Sequence, residues 1–125
     1  DFEKHLAENG TSVIKIFLHI SKDEQKKRFI DRIDEQEKNW KFSMGDLPER
    51  ALWDQYMSAY EEAINETSKD YAPWFVIPAD DKWFARVAAI QIIIDALEDM
   101  KLKFPKLSEA DQKELASAKK QLENE

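Results

Sequence analysis

Arg28 and Arg32 stand four residues apart, and Lys38, Lys41 and Arg50 follow in the same stretch, with Ser43 between the last two. On a helix, a four-residue spacing sends both guanidiniums off one side. Planar guanidinium forks match the oxygens of phosphate or carboxylate. The plain alternative is a solvated basic edge. A second group, Asp80-Asp81-Lys82, comes after an apolar run much further along the chain. The chemistry these residue types allow is the holding and neutralising of an anion. None of them by itself names the substrate.

Two apolar runs flank the basic stretch. Residues 12–20 are almost continuously apolar apart from Lys15 and His19, and residues 74–79 read WFVIPA. Such runs read as parallel strands buried on both faces. Ser21 is a helix N-cap with Glu24 three residues on, the pattern of a capping box. The helix it starts runs to about Asp34, with Phe29, Ile30 and Ile33 on one face. Residues 34–45 read as polar loop containing Trp40 and Phe42. That loop is either packed, or mobile and able to order over a ligand. Asp46 caps one further helix to about Ser68, with Pro48 in its first turn. Its stripe of Trp53, Tyr56, Met57, Tyr60 and Ile64 reads as core rather than a cofactor box.

Asp81 caps a helix to about Met100, with Trp83, Val87, Ile90, Ile94 and Leu97 as its apolar stripe. The start of the chain reads as the last turns of a helix closed by Gly10 in the left-handed region. Residues 108–125 read as a charged helix. The fold class is therefore α/β: two parallel strands, a helical excursion between them and flanking helices. In open parallel sheets, ligands bind beyond the carboxyl ends of the strands. Both Ser21 and the residues after Ala79 stand there, and the five cations belong to the excursion that leaves from that edge.

Composition narrows the partners. The 125 residues carry 26 acidic and 19 basic side chains, a net charge of −7, so the surface as a whole repels nucleic acid and anionic membrane. A polyanion must be met by a local basic patch. Apolar residues make up 42% and charged residues 36%, which suits a folded globular chain. No apolar run is long enough to span a bilayer, and no leader is visible. Cysteine is absent, which excludes disulfides and thiolate metal sites and suits a reducing, cytoplasmic setting. His19 has no second histidine near it in sequence, so metal ligation is not expected there. Only Gly10 and Gly45 occur, and no GxxxxGK[ST] phosphate-cradling loop is present.

Three long segments carry a resemblance. GTSVIKIFLHISKDEQKKRFIDRI, EKNWKFSMGDLPERALWDQYMSAYEEAI and TSKDYAPWFVIPADDKWFARV resemble the C-terminal half of the polyphosphate kinase 2 family. The likeness runs over residues 1–105, leaving residues 106–125 as an added charged helix. It implies part of a three-layer P-loop kinase fold, similar to thymidylate kinase. It also implies an enzyme that moves phosphate between inorganic polyphosphate and a nucleoside mono- or diphosphate, with magnesium.

By the same resemblance, residues 22–67 form a lid. Arg28 and Arg32 match its catalytic, phosphate-contacting arginines. Lys38, Lys41, Ser43 and Arg50 match substrate-binding positions, with Asp46 in the same segment. Asp80, Asp81 and Lys82 lie in the loop expected beside the nucleotide. The family's Walker A and Walker B residues, and with them the magnesium ligands, are expected upstream of Asp1. The chain alone is then expected to be inactive, and the open edge of its first strand to be covered by the missing half or by another copy. The alternative is a non-catalytic polyphosphate- or nucleotide-binding, or subunit-pairing, module.

Overall fold

The computed structural model describes residues 2–124. Its elements are α1 (Phe2–Glu8), β1 (Lys15–His19), α2 (Lys22–Asp34), a 3-10 helix (Gln36–Lys41), α3 (Asp46–Ala51), α4 (Trp53–Thr67), β2 (Trp74–Pro78), α5 (Lys82–Asp99) and α6 (Glu109–Glu123).

The sheet is the two parallel strands read from the sequence, in register Lys15↔Trp74 through His19↔Pro78. Alternation along β1 sends Ile16 one way and Phe17 the other. Ile16 and Ile20 join Ile77, Ala79 and Ala85 in the core under α5. On the opposite face Phe17 stacks on Tyr60 of α4, with ring centroids 4.7 Å apart. The unit is therefore three layers: α5, sheet, α4. Lys15 is accommodated at the start of β1 by Glu3 at 2.6 Å and by the Thr67 carbonyl at 2.7 Å, which ties α1 and α4 to the strand. Gly10 ends α1 at φ 83°, and the Thr11 N–H closes on the Leu6 carbonyl at 3.0 Å.

Several expectations change. The first strand is shorter than residues 12–20, and its last two residues, Leu18 and His19, are exposed. Full burial needs layers over both faces as well as strands along both edges, and among the described residues β1 pairs only with β2. The expected loop at residues 34–45 contains the 3-10 helix, held by the Asn39 amide donating to the Arg32 and Ile33 carbonyls at 2.8 and 2.7 Å. The expected single helix after Gly45 is two helices. The chain tightens at Leu52, whose N–H reaches back only three residues to Glu49. Asp46 is the first residue of α3 and does not cap it; Gly45 holds the cap position without a side-chain bond.

The apolar stripe of α5 is inverted. The side on the sheet is Ala85, Ala88, Ala89 and Ile92, where small side chains let helix and sheet approach closely. The predicted stripe faces outward, with Trp83 74% and Ile90 57% exposed. The aromatic stripe of α4 likewise lines a cleft instead of closing a core, and Tyr56 and Tyr60 stay partly open. The total accessible surface is 10583 Å². A compact monomer of 14.7 kDa exposes about 6,900 Å². The unit thus holds apolar faces open to a further layer. α6 is capped by Ser108 with Asp111 as a reciprocal capping box, and its Leu115 and Leu122 remain exposed.

The position of the core sets two stabilities. Ile77→Ala should cost about 2–5 kcal/mol, as for a buried aliphatic side chain. Trp53→Ala, on the wall of the cleft, should cost less than the roughly 3–5 kcal/mol of a fully buried aromatic. Urea unfolding followed by circular dichroism ranks the two, and a larger loss for Trp53→Ala would place the core on α4.

Candidate functional site: a cationic cavity beside α2

α2 begins directly after β1, and its start is built by four side chains. The Ser21 hydroxyl accepts the Glu24 N–H at 3.0 Å, as the cap pattern predicts. The Glu24 carboxylate does not return to the cap, as a capping box requires. It turns to the Arg28 Nε at 2.7 Å. The N–H of Ser21 is taken instead by the Asp80 carboxylate at 2.7 Å, from the turn after β2. Arg28 closes the ring, its Nη2 donating to the carbonyls of Ala79 at 2.7 Å and Asp80 at 3.2 Å. α2 and the β2–α5 turn are therefore laced together at the carboxyl edge of the sheet.

The register explains the pairing. Two residues past His19↔Pro78, Ser21 stands opposite Asp80. The ladder continues through the Ala79 N–H to the His19 carbonyl at 2.7 Å, then through a side chain. The Ser21 N–H and hydroxyl hold the Asp80 carboxyl below its ordinary value of 3.8, with Arg28 and His19 acting the same way and desolvation opposing.

Arg28, Arg32, Lys38, Lys41 and Lys82 surround one cavity of about 240 Å³, with Asp31 the one carboxylate in its wall. α2 supplies Arg28, Asp31 and Arg32, the 3-10 helix supplies Lys38 and Lys41, and the first residue of α5 is Lys82. Arg32 lies over the Phe29 ring at 5.7 Å, and Lys41 over the Trp40 ring at 5.0 Å. Phe29 meets Phe42 edge to face at 5.7 Å, which fixes the 3-10 helix against α2. Lys38 pairs with Glu35. Among the described residues, the Arg32, Lys41 and Lys82 side chains take no hydrogen-bond or ion-pair partner, and Arg28 keeps Nη1 free. Glu24 and Glu35 pair with Arg28 and Lys38, but Arg32, Lys41 and Lys82 are left to repel one another and those two, and a multivalent anion between them relieves that cost.

The other residues singled out from the sequence lie elsewhere. Arg50 donates to the Lys22 carbonyl at 2.7 Å and to Gln25 at 2.8 Å, bracing α3 against the start of α2. It lines a separate cleft of about 350 Å³ with His19, Glu49, Trp53 and Tyr60. There the Tyr56 phenol donates to Glu49, which raises its pKa above the ordinary 10.0. The Ser43 hydroxyl accepts the Gly45 N–H at 3.2 Å in its own turn. Asp81 caps α5, accepting the N–H groups of Trp83 at 2.8 Å and Phe84 at 3.1 Å. Asp80 is engaged with Ser21. Of the acidic-basic loop, only Lys82 faces the cavity. The sequence places Ser21 and Lys22 beside residues 79–82 at the carboxyl edge; the structure adds that Lys82 shares a cavity with the cations of α2 and the 3-10 helix, and that Asp80 bonds Ser21. The equal offset of residues 21 and 80 beyond the two apolar runs is the signal for both.

The family model described as Polyphosphate kinase 2 (PPK2) matches residues 1–105. The chain belongs to the polyphosphate kinase 2 family. It is 50% identical to a polyphosphate kinase 2 from Arthrobacter aurescens TC1 of known crystal structure, with a TM-score of 0.83, covering 94% of this chain and 43% of that one. An ADP-polyphosphate phosphotransferase from Rhodopseudomonas palustris is 52% identical, over 98% of this chain and 42% of that protein. A relative from Leptolyngbya boryana, described as an uncharacterized protein in the chlN 3′ region, is 55% identical over 99% of this chain and 91% of that protein. The chain thus spans about two fifths of the kinase and phosphotransferase it matches, and nearly all of the Leptolyngbya relative. The α/β architecture with two parallel strands is shared with the matching part of this family's solved structures. No helix among the described residues is long and apolar enough to cross a membrane.

Asp80 sets a pH dependence of stability. Its folded pKa lies below the unfolded one, so its contribution is complete above 3.8 and is lost as pH falls through the lower folded value. Urea midpoints of the parent and Asp80→Asn should therefore differ at neutral pH and converge on acidification below 3.8. A constant gap would show that the Asp80 charge takes no part.

Proposed function

We propose that this chain is the lid-bearing part of a polyphosphate:nucleotide phosphotransferase, and that its cationic cavity binds inorganic polyphosphate. The observation that carries the reading is the gathering of Arg28, Arg32, Lys38, Lys41 and Lys82 around one cavity on a chain of net charge −7. Relatives named as polyphosphate phosphotransferases support the substrate class, one from Meiothermus ruber being named an AMP/ADP-polyphosphate phosphotransferase.

In this reading the arginines hold phosphoryl oxygens and neutralise charge that spreads over the transferred group. Closure of residues 22–67 as a lid over the carboxyl edge excludes water and strengthens those contacts. The nucleotide and the P-loop are met at the same edge from outside the described residues.

Magnesium, expected with such phosphates, does not fit the cavity. Among the described residues no three carboxylate, histidine or cysteine groups converge to hold a cation. Hard divalent cations need several oxygen ligands, and the wall offers one carboxylate. The chain's own contribution is binding and charge neutralisation. The outward face of α5 and the free edge of β1 are the surfaces where the rest of a kinase domain, or another copy, packs. A cytoplasmic setting follows from polyphosphate and nucleotide as substrates. A second reading, a polyphosphate-binding or subunit-pairing module without a P-loop, is favoured by the Leptolyngbya relative of similar span.

Calorimetric titration with inorganic polyphosphate tests the binding. The affinity should fall steeply with salt, and Lys41→Ala should weaken it and reduce the log–log salt slope by about 1, as for a phosphate-contacting cation. Absence of salt-sensitive binding overturns the reading. In a complete enzyme carrying this unit, Arg32→Ala should lower kcat on the order of a hundredfold, the scale for losing one preorganised donor. Unchanged steady-state turnover there, with binding intact, would leave the second reading.

A further inference from the structure

The lid residues 22–67 leave the sheet after Ser21 and return before β2, so the direction of α2 depends on how its first turn is held. The first N–H groups of a helix have no partner within it. Ser21 meets one of them with its hydroxyl, and its own N–H is directed at Asp80. The same Asp80 offers its main-chain carbonyl, beside that of Ala79, to Arg28 about two turns further on. Asp80 therefore touches α2 at two points, and the second is the arginine whose Nη1 remains for the cavity. Arg32, one further turn along, takes its direction from the same helix.

We propose that the Asp80 side chain is a positioning residue: by holding the Ser21 N–H it sets α2, and with it Arg28 and Arg32, around the phosphate-binding cavity. This rests on the polyphosphate reading of that cavity. Preorganised ligand-holding groups bind more tightly because less ordering is left to binding itself. The structure separates this role from a purely electrostatic one by sign. Asp80 is a carboxylate two residues from Lys82 and bonded near Arg28. Removing its charge alone tightens binding of any anion in the cavity. Removing a positioning bond weakens it.

The experiment is calorimetric titration of the 125-residue chain with inorganic polyphosphate at about 0.1 M ionic strength, for the parent, Asp80→Ala and Asp80→Asn, with circular dichroism confirming the folded state. Asp80→Ala should bind about tenfold more weakly, the scale of one lost charge-assisted hydrogen bond. Asp80→Asn keeps an amide oxygen for the Ser21 N–H and should bind within about threefold of the parent. Ser21→Pro removes the donor and leaves the Asp80 charge in place; it also removes the hydroxyl that caps Glu24, so it is read against Ser21→Ala, which loses the hydroxyl and keeps the N–H. The φ of −72° at residue 21 suits proline, so this variant should weaken binding as Asp80→Ala does, and it decides the matter if Asp80→Ala does not fold. Unchanged or tighter binding by Asp80→Ala, or by Ser21→Pro, overturns the positioning role while leaving the cavity reading intact. Asp80→Asn binding as weakly as Asp80→Ala overturns it equally. A parent that binds no polyphosphate overturns the cavity reading and this inference together.

Discussion

The register of two short parallel strands governs the rest of the molecule. Because β1 and β2 run parallel with His19 opposite Pro78, their carboxyl ends finish level on one edge. The segments leaving those two ends are then brought together without any further device. Ser21 meets Asp80, Arg28 of α2 meets the Ala79 and Asp80 carbonyls, and Lys82 joins cations from a segment more than forty residues earlier. A slip of one residue would turn the core face of β1 outward and separate Ser21 from Asp80.

Charge at that edge is arranged in two tiers. The acids nearest the sheet are consumed by structure: Glu24 on Arg28, Asp80 on Ser21, Asp81 on the N-terminus of α5. Asp80 and Asp81 meet main-chain N–H groups that folding would otherwise leave unpaired, and Glu24 meets a guanidinium. Of the cations above them, Arg32, Lys41 and Lys82 have no side-chain partner among the described residues, while Arg28 and Lys38 are paired with Glu24 and Glu35. A protein of net charge −7 can thereby present a positive cavity, since its acids face donors at the rim or solvent elsewhere. Arg28 belongs to both tiers and couples the fold of the rim to the cavity.

The apolar surfaces are arranged on a different principle. α5 is apolar on nearly every side, and only its alanine face is covered by the sheet. β1 has one paired edge among the described residues, and the cleft between it and α4 is walled by aromatics. An accessible surface about half again that of a compact monomer of this mass is the direct result. Family relatives more than twice as long have further chain with which to cover such faces.

Local chemistry is what the sequence by itself determined. Ser21, Asp81 and Ser108 begin helices because their side chains accept N–H groups a few residues on, and Gly10 ends one because it tolerates positive φ. The two strands, their parallel order and the concentration of cations in residues 28–50 were legible for the same reason: each rests on pattern and short-range sterics. The tertiary structure alone decided which side of α5 faces the sheet, since a helix apolar all round carries no periodic signal to choose one. It also decided that the chain breaks at Leu52, that Arg50 braces α3 while Lys82 faces the cavity, and that Glu24 serves Arg28 instead of its own cap. Those outcomes depend on distances between residues remote in sequence, and only the pairing of the strands sets such distances.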